Sequence, residues 1–551
     1  MQKNCLQIDY RDNIAVALVD LKKGTSLQVG DRDIMLISDI KAKHKFSLEN
    51  LEQGDTVTMY GVPIGKALSK LVQGEVISRS NTIHEAAHYD PNLTKSIDWT
   101  PPSVEKFKER TFLGYHREDG SVGTENNWLV IPLVFCENRN ITLIEEALAE
   151  ALGYAVKKNY HINTDLLIRK YQEGASSEDL SKTTIISSQE EYQQNRVFSN
   201  VDGIKFLRHD GGCGGTKEDA QALCDLLAGY ITNANVAGAT VLSLGCQHAQ
   251  IEMLKEAVES RLMALQKPVY YLEQQQSLSE RSFLEEAVQK TFVGLVEANK
   301  IIREEAPLNK LILGLECGGS DGFSGISANP ALGHASDLLV ALGGSAVLSE
   351  FPELNGVEQE LLNRCASDAL ANKFADLMNN YASIAKSRGT GFENNPSPGN
   401  VKDGLITDAM KSAGAAKKGG TSPVTDVLDY VEKVNKPGLH LLCTPGNDVE
   451  STTGLAGAGC NLIVFTTGLG TPTGNPICPV IKISSNTTLF NKMSDIIDID
   501  AGTVISGEES IEEVGERLLD LLIKVASGEV VCKARRNDQN DFIPWKRGIS
   551  L

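Results

Sequence analysis

The chain has 551 residues, 41% hydrophobic and 23% charged, a composition that suits a soluble globular protein of roughly two to four domains. A net charge of −19 argues against nucleic acid or an anionic membrane as partner, because both are polyanions. No run approaches the ~18 apolar residues of a membrane span; MQKNCLQIDYRDN lacks the apolar core of a secretory signal, and eleven cysteines without such a signal suggest reduced thiols, so the cytoplasm is the expected compartment.

Residues 1–95 read as short strands (NIAVALVDL, TSLQVG, RDIMLIS, TVTMYGVPIGKAL, GEVIS) punctuated by Gly24, Gly30, Gly54, Gly65 and Gly74, which predicts a small β-rich module. It carries His44 among lysines and His84 after SNTI; each is a surface imidazole or a metal ligand. Residues 91–110 hold three prolines and little periodicity, and 96–110 is expected to be a linker.

From Thr111 onward, apolar runs alternate with helical patterns. WLVIPLVFC precedes TLIEEALAEALGY, IKFLRHD precedes KEDAQALCDLLAGYI, and ATVLSLGC precedes HAQIEMLKEAVESRLMAL. PVYYLEQQ and LILGLEC continue the series, each with its own helix. Such alternation predicts crossover units and largely parallel sheets. The expected division is an α/β domain over 111–424 and a second, Rossmann-like α/β domain over 425–551. Residues 155–200 are polar and read as an insertion. Residues 380–425, rich in Gly, Ser, Asn and Pro, form a long irregular segment of the kind that is functional or linking.

In open α/β sheets ligands bind beyond the carboxyl ends of the strands. Here those ends carry Cys136, His209 with the glycine loop around Cys213, Cys246, Cys317 and Glu350. Four cysteines in one kind of place point to a shared pocket, either as lining thiols or as ligands of a metal or an iron–sulfur cluster. The stretch Leu315–Asp337 is the densest: Gly318, Gly319, Gly322 and Gly325 fall within eight residues, mixed with Cys317, Ser320, Asp321 and Ser324, and a helical pattern with Asn329 and Pro330 follows. Strand, glycine loop and helix start are expected to cradle an anionic small molecule. A second dense region, LGYHREDGSVGTENNW, offers Arg117 for a carboxylate and Asp119, Ser121 and Thr124 for hydroxyls or a cation; a β-turn at the DG pair is the structural alternative.

The motifs GYHREDGSVGT, HDGGCGG, LGCQ, ECGGSDGFSGISANPALGHASD, LSEFPEL, NPSPGN, TPGNDVESTTGLAGAG, FTTGLGTPTGNPICPVIKISSN and DIDAG, in this order, resemble the altronate/galactarate dehydratase family of sugar-acid hydro-lyases. HKFSLENLEQGDTVTMYGVPIGKAL resembles the β-clip, or SAF-like, domain that opens those enzymes. The resemblance implies a small SAF-like module followed by two α/β domains. It implies dehydration of D-altronate to 2-dehydro-3-deoxy-D-gluconate in hexuronate catabolism, with Fe²⁺ or Mn²⁺ as cofactor. The sulfolactate sulfo-lyases and galactarate dehydratase are the neighbouring chemistries. A non-catalytic sugar-acid binder is a different class, and a nucleotide oxidoreductase is disfavoured because no G-x-G-x-x-G follows the first strand of a βαβ unit. Two departures stand out: Glu125 replaces a cation of the family pattern, and Arg79 lies where the module commonly closes on a His-rich sequence.

Dehydrating an aldonate removes a weakly acidic proton beside a carboxylate and expels a hydroxyl, which calls for a cation on the carboxylate, a base and an acid. With the resemblance, His44 and then His84 are the expected cation ligands, and from their chemistry Arg117, Asp119, Ser121, Thr124, Ser320, Asp321, Ser324 and Asn329 are the expected substrate contacts. Glu350, His209 and Lys482 are the acid–base candidates. A homo-oligomer stays open.

Overall fold

A computed structural model describes residues 4–93, 98–155, 160–188, 196–261 and 267–547; parts of the expected linker and of the 155–200 insertion lie outside them. The N-terminal module holds three small antiparallel sheets, with strands that include Ile14–Ala17, Ser26–Val29, Arg32–Met35, Lys45–Ser47, Thr56–Met59 and Val62–Ala67. Ser26–Val29 alternates exposed and buried, the pattern of a sheet wet on one face. Its inward side chains join Ala15, Ile34, Phe46 and Leu48 in a core of the module's own. The described part of the expected linker does not hang free. Phe107 is buried, and Lys106 and Arg110 pair with Glu516 and Asp520 on the helix Ile511–Ala526.

Two parallel sheets follow, as the alternation predicts. The first contains β1 (Asn127–Pro132), β2 (Gly203–Phe206), β3 (Val236–Ser243) and β4 (Val269–Glu273) in the order β2-β1-β3-β4. β1 and β3 are buried at every position, which is why they read as unbroken apolar runs rather than alternating ones.

The second sheet has seven strands: β5 (Ile312–Cys317), β6 (Ser345–Leu348), β7 (Val424–Leu428), β8 (Gly438–Leu442), β9 (Leu462–Thr467), β10 (Val480–Ser484) and β11 (Ile499–Asp500). They lie in the order β7-β8-β6-β5-β9-β10-β11, all parallel. This corrects the expected boundary at 424/425, which falls inside the sheet. β5 pairs with β6 on one side and with β9 on the other, so residues on both sides of that boundary form one layer. The linking segment 380–425 hid this continuity, because a long irregular stretch reads the same whether it separates domains or crosses a sheet edge. From β5 the chain moves outward through β6, and β9 later returns to β5's other flank. The sheet thus reverses its winding at β5, and beyond the strand ends at such a point open α/β sheets hold their sites.

The two layers meet through helices. Lys217–Thr232 crosses α3 (Asp448–Ala458) where Gly229 faces Gly457; a methyl group on Gly229 would lie 2.2 Å from the Gly457 carbonyl oxygen. Only glycine permits this approach.

Candidate active site

The carboxyl ends of β5, β6 and β8 bring a set of buried ionisable groups together. Glu316 and Cys317 end β5. Glu350 follows β6 in the left-handed region, φ +67° and ψ +60°, a conformation that costs a non-glycine residue energy and persists where the surroundings impose it. Its backbone N–H donates to Thr444 Oγ1 at 2.8 Å. Glu353 lies one short turn later. Asp448 opens α3, where the Asn447 side chain caps the helix by accepting from the N–H groups of Val449 and Glu450.

The cations come from the irregular segment. Thr407 caps α2 (Asp408–Ala415), which carries Lys411, and the turn Ala416–Gly419 carries Lys418. Lys418 Nζ stands 2.7 Å from both Cys317 Sγ and Glu350 Oε2. Glu350 Oε2 also accepts from the Cys317 backbone N–H at 3.2 Å. Lys411 Nζ pairs with Glu353 Oε1 at 2.5 Å, and the Cys317 thiol donates to Glu353 Oε2 at 3.4 Å. Glu316 Oε2 accepts from Ser451 Oγ at 2.6 Å and Ser349 Oγ at 3.1 Å. Glu316 Oε1 and Glu350 Oε1 are buried, and among the described residues neither meets an N–H or hydroxyl donor; the two carboxyls lie close enough to share a proton.

Burial and the neighbouring Glu350 push Glu316 well above the usual carboxylate range. Burial also raises Glu350, against the pull of Lys418. For Glu353 burial acts upward, yet Lys411 and Lys418 outweigh it and hold the carboxyl below its usual range. Asp448, half-buried, is pushed up to about 7 by burial and then by Glu350 and Glu353. Burial works against the Lys418 ammonium, but Cys317 and Glu350 prevail and keep it charged. The centre therefore couples two fixed cations, Lys411 and Lys418, to carboxyls of differing proton affinity, the arrangement general acid–base chemistry uses.

Among the described residues, two groups could hold a metal ion: Cys317 with Glu350 and Glu353, and Glu316 with Glu350 and Asp448. Neither contains a histidine. His44 Nε2 meets the Lys402 carbonyl at 3.1 Å, and His84 Nδ1 accepts weakly from the Ala409 N–H at 3.5 Å; burial lowers both. Both line the seam between the module and the seven-stranded domain, apart from the carboxylates.

The glycine loop's donors are engaged within the fold, the Gly318 and Gly322 N–H groups on the Thr466 and Asp403 carbonyls. Asp321 Oδ1 accepts from the N–H groups of Phe323 and Ser324 and from the hydroxyls of Ser324 and Ser485, while Lys43 Nζ pairs with Oδ2 at 2.9 Å. The expected anion cradle is thus filled by the loop's own carboxylate. Gly322 lies against the Lys43 carbonyl, and Lys45, pushed down to about 7 by burial, donates to the Gly404 carbonyl at 2.7 Å. The loop docks the N-terminal module beside the centre. Ser320 accepts there from Asn400 through its carbonyl, and Asn329 is held between the Gly414 carbonyl and the Thr466 hydroxyl.

The 113–128 region lies at the four-stranded sheet, apart from this centre, and its polar side chains bond within the fold. Arg117 is buried against the Ala234 carbonyl and Asn126, and Thr124 donates to the Asn461 carbonyl. Asp119 and Ser121 close the turn on each other. The Glu125 departure has a partner: Arg535 grips it with two bonds of 2.7 and 2.8 Å. His209 uses both ring nitrogens, Nε2 on the Pro132 carbonyl and Nδ1 on the Gly211 N–H, and burial pushes it down to about 4. Lys482 sits within β10, bonded to Gln539 and pushed down to about 8 by burial. Of the three acid–base candidates, only Glu350 lies in the centre. The single pocket expected of four thiols also divides: Cys317 belongs to the seven-stranded sheet, while Cys136, Cys213 and Cys246 lie at the four-stranded one.

Sequence reasoning missed Glu316, Glu353, Lys411, Lys418 and Asp448. Lys418 follows Lys417 in a segment whose length marked it as functional or linking. Glu316 was hidden as the penultimate residue of an apolar strand.

Three family models match the chain in order: the altronate/galactarate dehydratase SAF domain over residues 3–85, the D-galactarate dehydratase/altronate hydrolase second domain over 114–299, and the D-galactarate/altronate dehydratase C-terminal domain over 308–550. The chain is 34% identical to an altronate dehydratase of Bacillus subtilis, over the whole of both chains. It is 32% identical to an altronate dehydratase of Escherichia coli over 99% of each. It is also 32% identical to a galactarate dehydratase (L-threo-forming) of Escherichia coli, over 95% of this chain and 93% of the relative. The full-length match, the SAF module and the two parallel sheets make the chain a hydro-lyase that belongs to the altronate/galactarate dehydratase family.

Proposed function

We propose that the chain dehydrates D-altronate to 2-dehydro-3-deoxy-D-gluconate and water, and that the centre around Glu350 and Lys418 performs it. The observation that carries this reading is the contact of the buried Lys418 ammonium with Glu350, at 2.7 Å, beyond the strand ends where the sheet reverses its winding. Of the two Glu350 oxygens, Oε1 is the one that Lys418 does not hold, and this reading assigns it the C2 proton. Lys418 pins Oε2, which fixes the carboxylate's direction. The C2–H electrons form the C2–C3 double bond, and the C3–O bond breaks. Lys418 hands its proton to the departing hydroxyl, and the enol tautomerises to the keto acid.

The residues fit a divalent cation. Glu316 Oε1 is a buried orphan and Asp448 stands at the rim, so these two supply oxygen donors of the kind Fe²⁺ and Mn²⁺ take once Lys418 has engaged Glu350. When bound, the cation would draw charge from the substrate carboxylate and make the C2 proton easier to remove.

The test is incubation of the full chain, loaded anaerobically with Fe²⁺ or Mn²⁺, with D-altronate, galactarate and a sulfonated hydroxy acid. Keto-deoxy acid from altronate is expected. Product from galactarate alone would move the substrate assignment, release of sulfite would overturn the hydro-lyase chemistry, and full turnover after chelation would overturn the cation.

A further inference from the structure

Eleven cysteines are free, yet only Cys136, Cys213 and Cys246 are exposed. Cysteine is ordinarily among the most buried residues, so three exposed thiols in one place call for a reason. All three follow the carboxyl ends of adjacent parallel strands, β1, β2 and β3. Backbone bonds hold their loops together. The Phe135 N–H donates to the Gly211 carbonyl at 3.0 Å, and the N–H groups of His248 and Ala249 donate to the Gly212 carbonyl at 3.1 and 3.2 Å. Gly212, at φ +94°, makes this possible, since a methyl group there would lie 2.2 Å from the Leu133 carbonyl oxygen. The thiols feel one another: after burial, Cys213 and then Cys246 push Cys136 up.

Disulfide pairing would leave one thiol over. A single tetrahedral ion on thiolate bonds of about 2.3 Å would draw its sulfurs close together, but these three do not all lie within 4.8 Å of one another. A cubane spaces its ligand sulfurs more widely. Beside the thiols lies a cleft of 620 Å³, lined by Phe135, His209, Cys213, His248, Phe542 and Trp545.

We propose that Cys136, Cys213 and Cys246 ligate three irons of a [4Fe–4S] cluster, with the fourth iron turned toward this cleft. Each ligation is an exchange. The cysteine thiol passes its proton to a small thiolate leaving a preformed cluster, and no iron changes oxidation state. The inference does not depend on the dehydration reading, because the cluster is detected without turnover.

The test isolates the full chain anaerobically, offers it a preformed glutathione-ligated [4Fe–4S] cluster, and measures bound iron, acid-labile sulfide and visible absorption. About four irons and four sulfides per chain are expected. Cys136→Ser, Cys213→Ser and Cys246→Ser should each lower both contents several-fold at unchanged far-ultraviolet circular dichroism, whereas Cys365→Ser should leave them intact. Iron without sulfide, zinc in its place, or full cluster content in the triple serine variant would overturn the proposal.

Discussion

Lys418 Nζ lies 2.7 Å from Glu350 Oε2, and both side chains are only 1% exposed. A buried ion pair of this kind is weak evidence for stability by itself, since desolvation opposes the Coulomb gain. Breaking it is another matter, because the survivor is then an uncompensated buried charge. Lys418→Met should therefore lower stability by about 3–5 kcal/mol, read as a reduced denaturant midpoint. Adding Glu350→Gln to that variant should restore part of the loss; a double variant no more stable than the single one would show that the lysine's packing matters more than its charge.

Asp448 and Glu316 set a pH dependence. Asp448 has an ordinary value of 3.8 and is pushed up to about 7 in the folded chain, with Glu316 shifted in the same direction. Between those values the folded state binds more protons than the unfolded state, so stability falls as pH rises through this window. Asp448→Asn removes the Asp448 contribution. The metal-free variant should gain on the metal-free wild type as pH rises from about 4 to about 7, and Mn²⁺ should narrow the gap by binding the ionised wild-type carboxylates. A difference in thermal midpoint that does not change with pH would contradict the shift.

How much of this was legible in the sequence follows from where each signal sits. The module, the two parallel sheets and the strand-end position of Glu350 were readable, because buried parallel strands are continuous apolar runs and sites lie beyond their carboxyl ends. The continuity of the seven-stranded sheet across the expected domain boundary was not, since Ser345 of β6 pairs with Gly438 of β8 and Leu313 of β5 with Leu462 of β9, far apart in sequence. Asp321 illustrates a second limit. Composition marks it as polar and loop-borne, but only the fold shows that its oxygens are taken by Phe323, Ser324, Ser485 and Lys43. Lys418 shows a third: its importance comes from Cys317, a hundred residues away in the chain.

The pair between Glu125 and Arg535 accounts for the carboxylate at a position where the family pattern carries a cation. Both side chains are 12% exposed and joined by two hydrogen bonds, a bidentate geometry that fixes orientation. Glu125→Gln should destabilise the chain by about 3 kcal/mol and leave turnover per folded molecule within about twofold. A large fall in turnover without loss of stability would mean that Glu125 acts on substrate.

The most direct measurement is the rate of keto-deoxy acid formation from D-altronate by the Glu350→Gln variant against wild type, both loaded with the same cation and both checked for an unchanged fold. Losing a positioned acid–base group should slow turnover by about 10²–10⁴-fold, with a smaller change in KM. Turnover by Glu350→Gln at the wild-type rate would contradict the assignment of the chemistry to this centre.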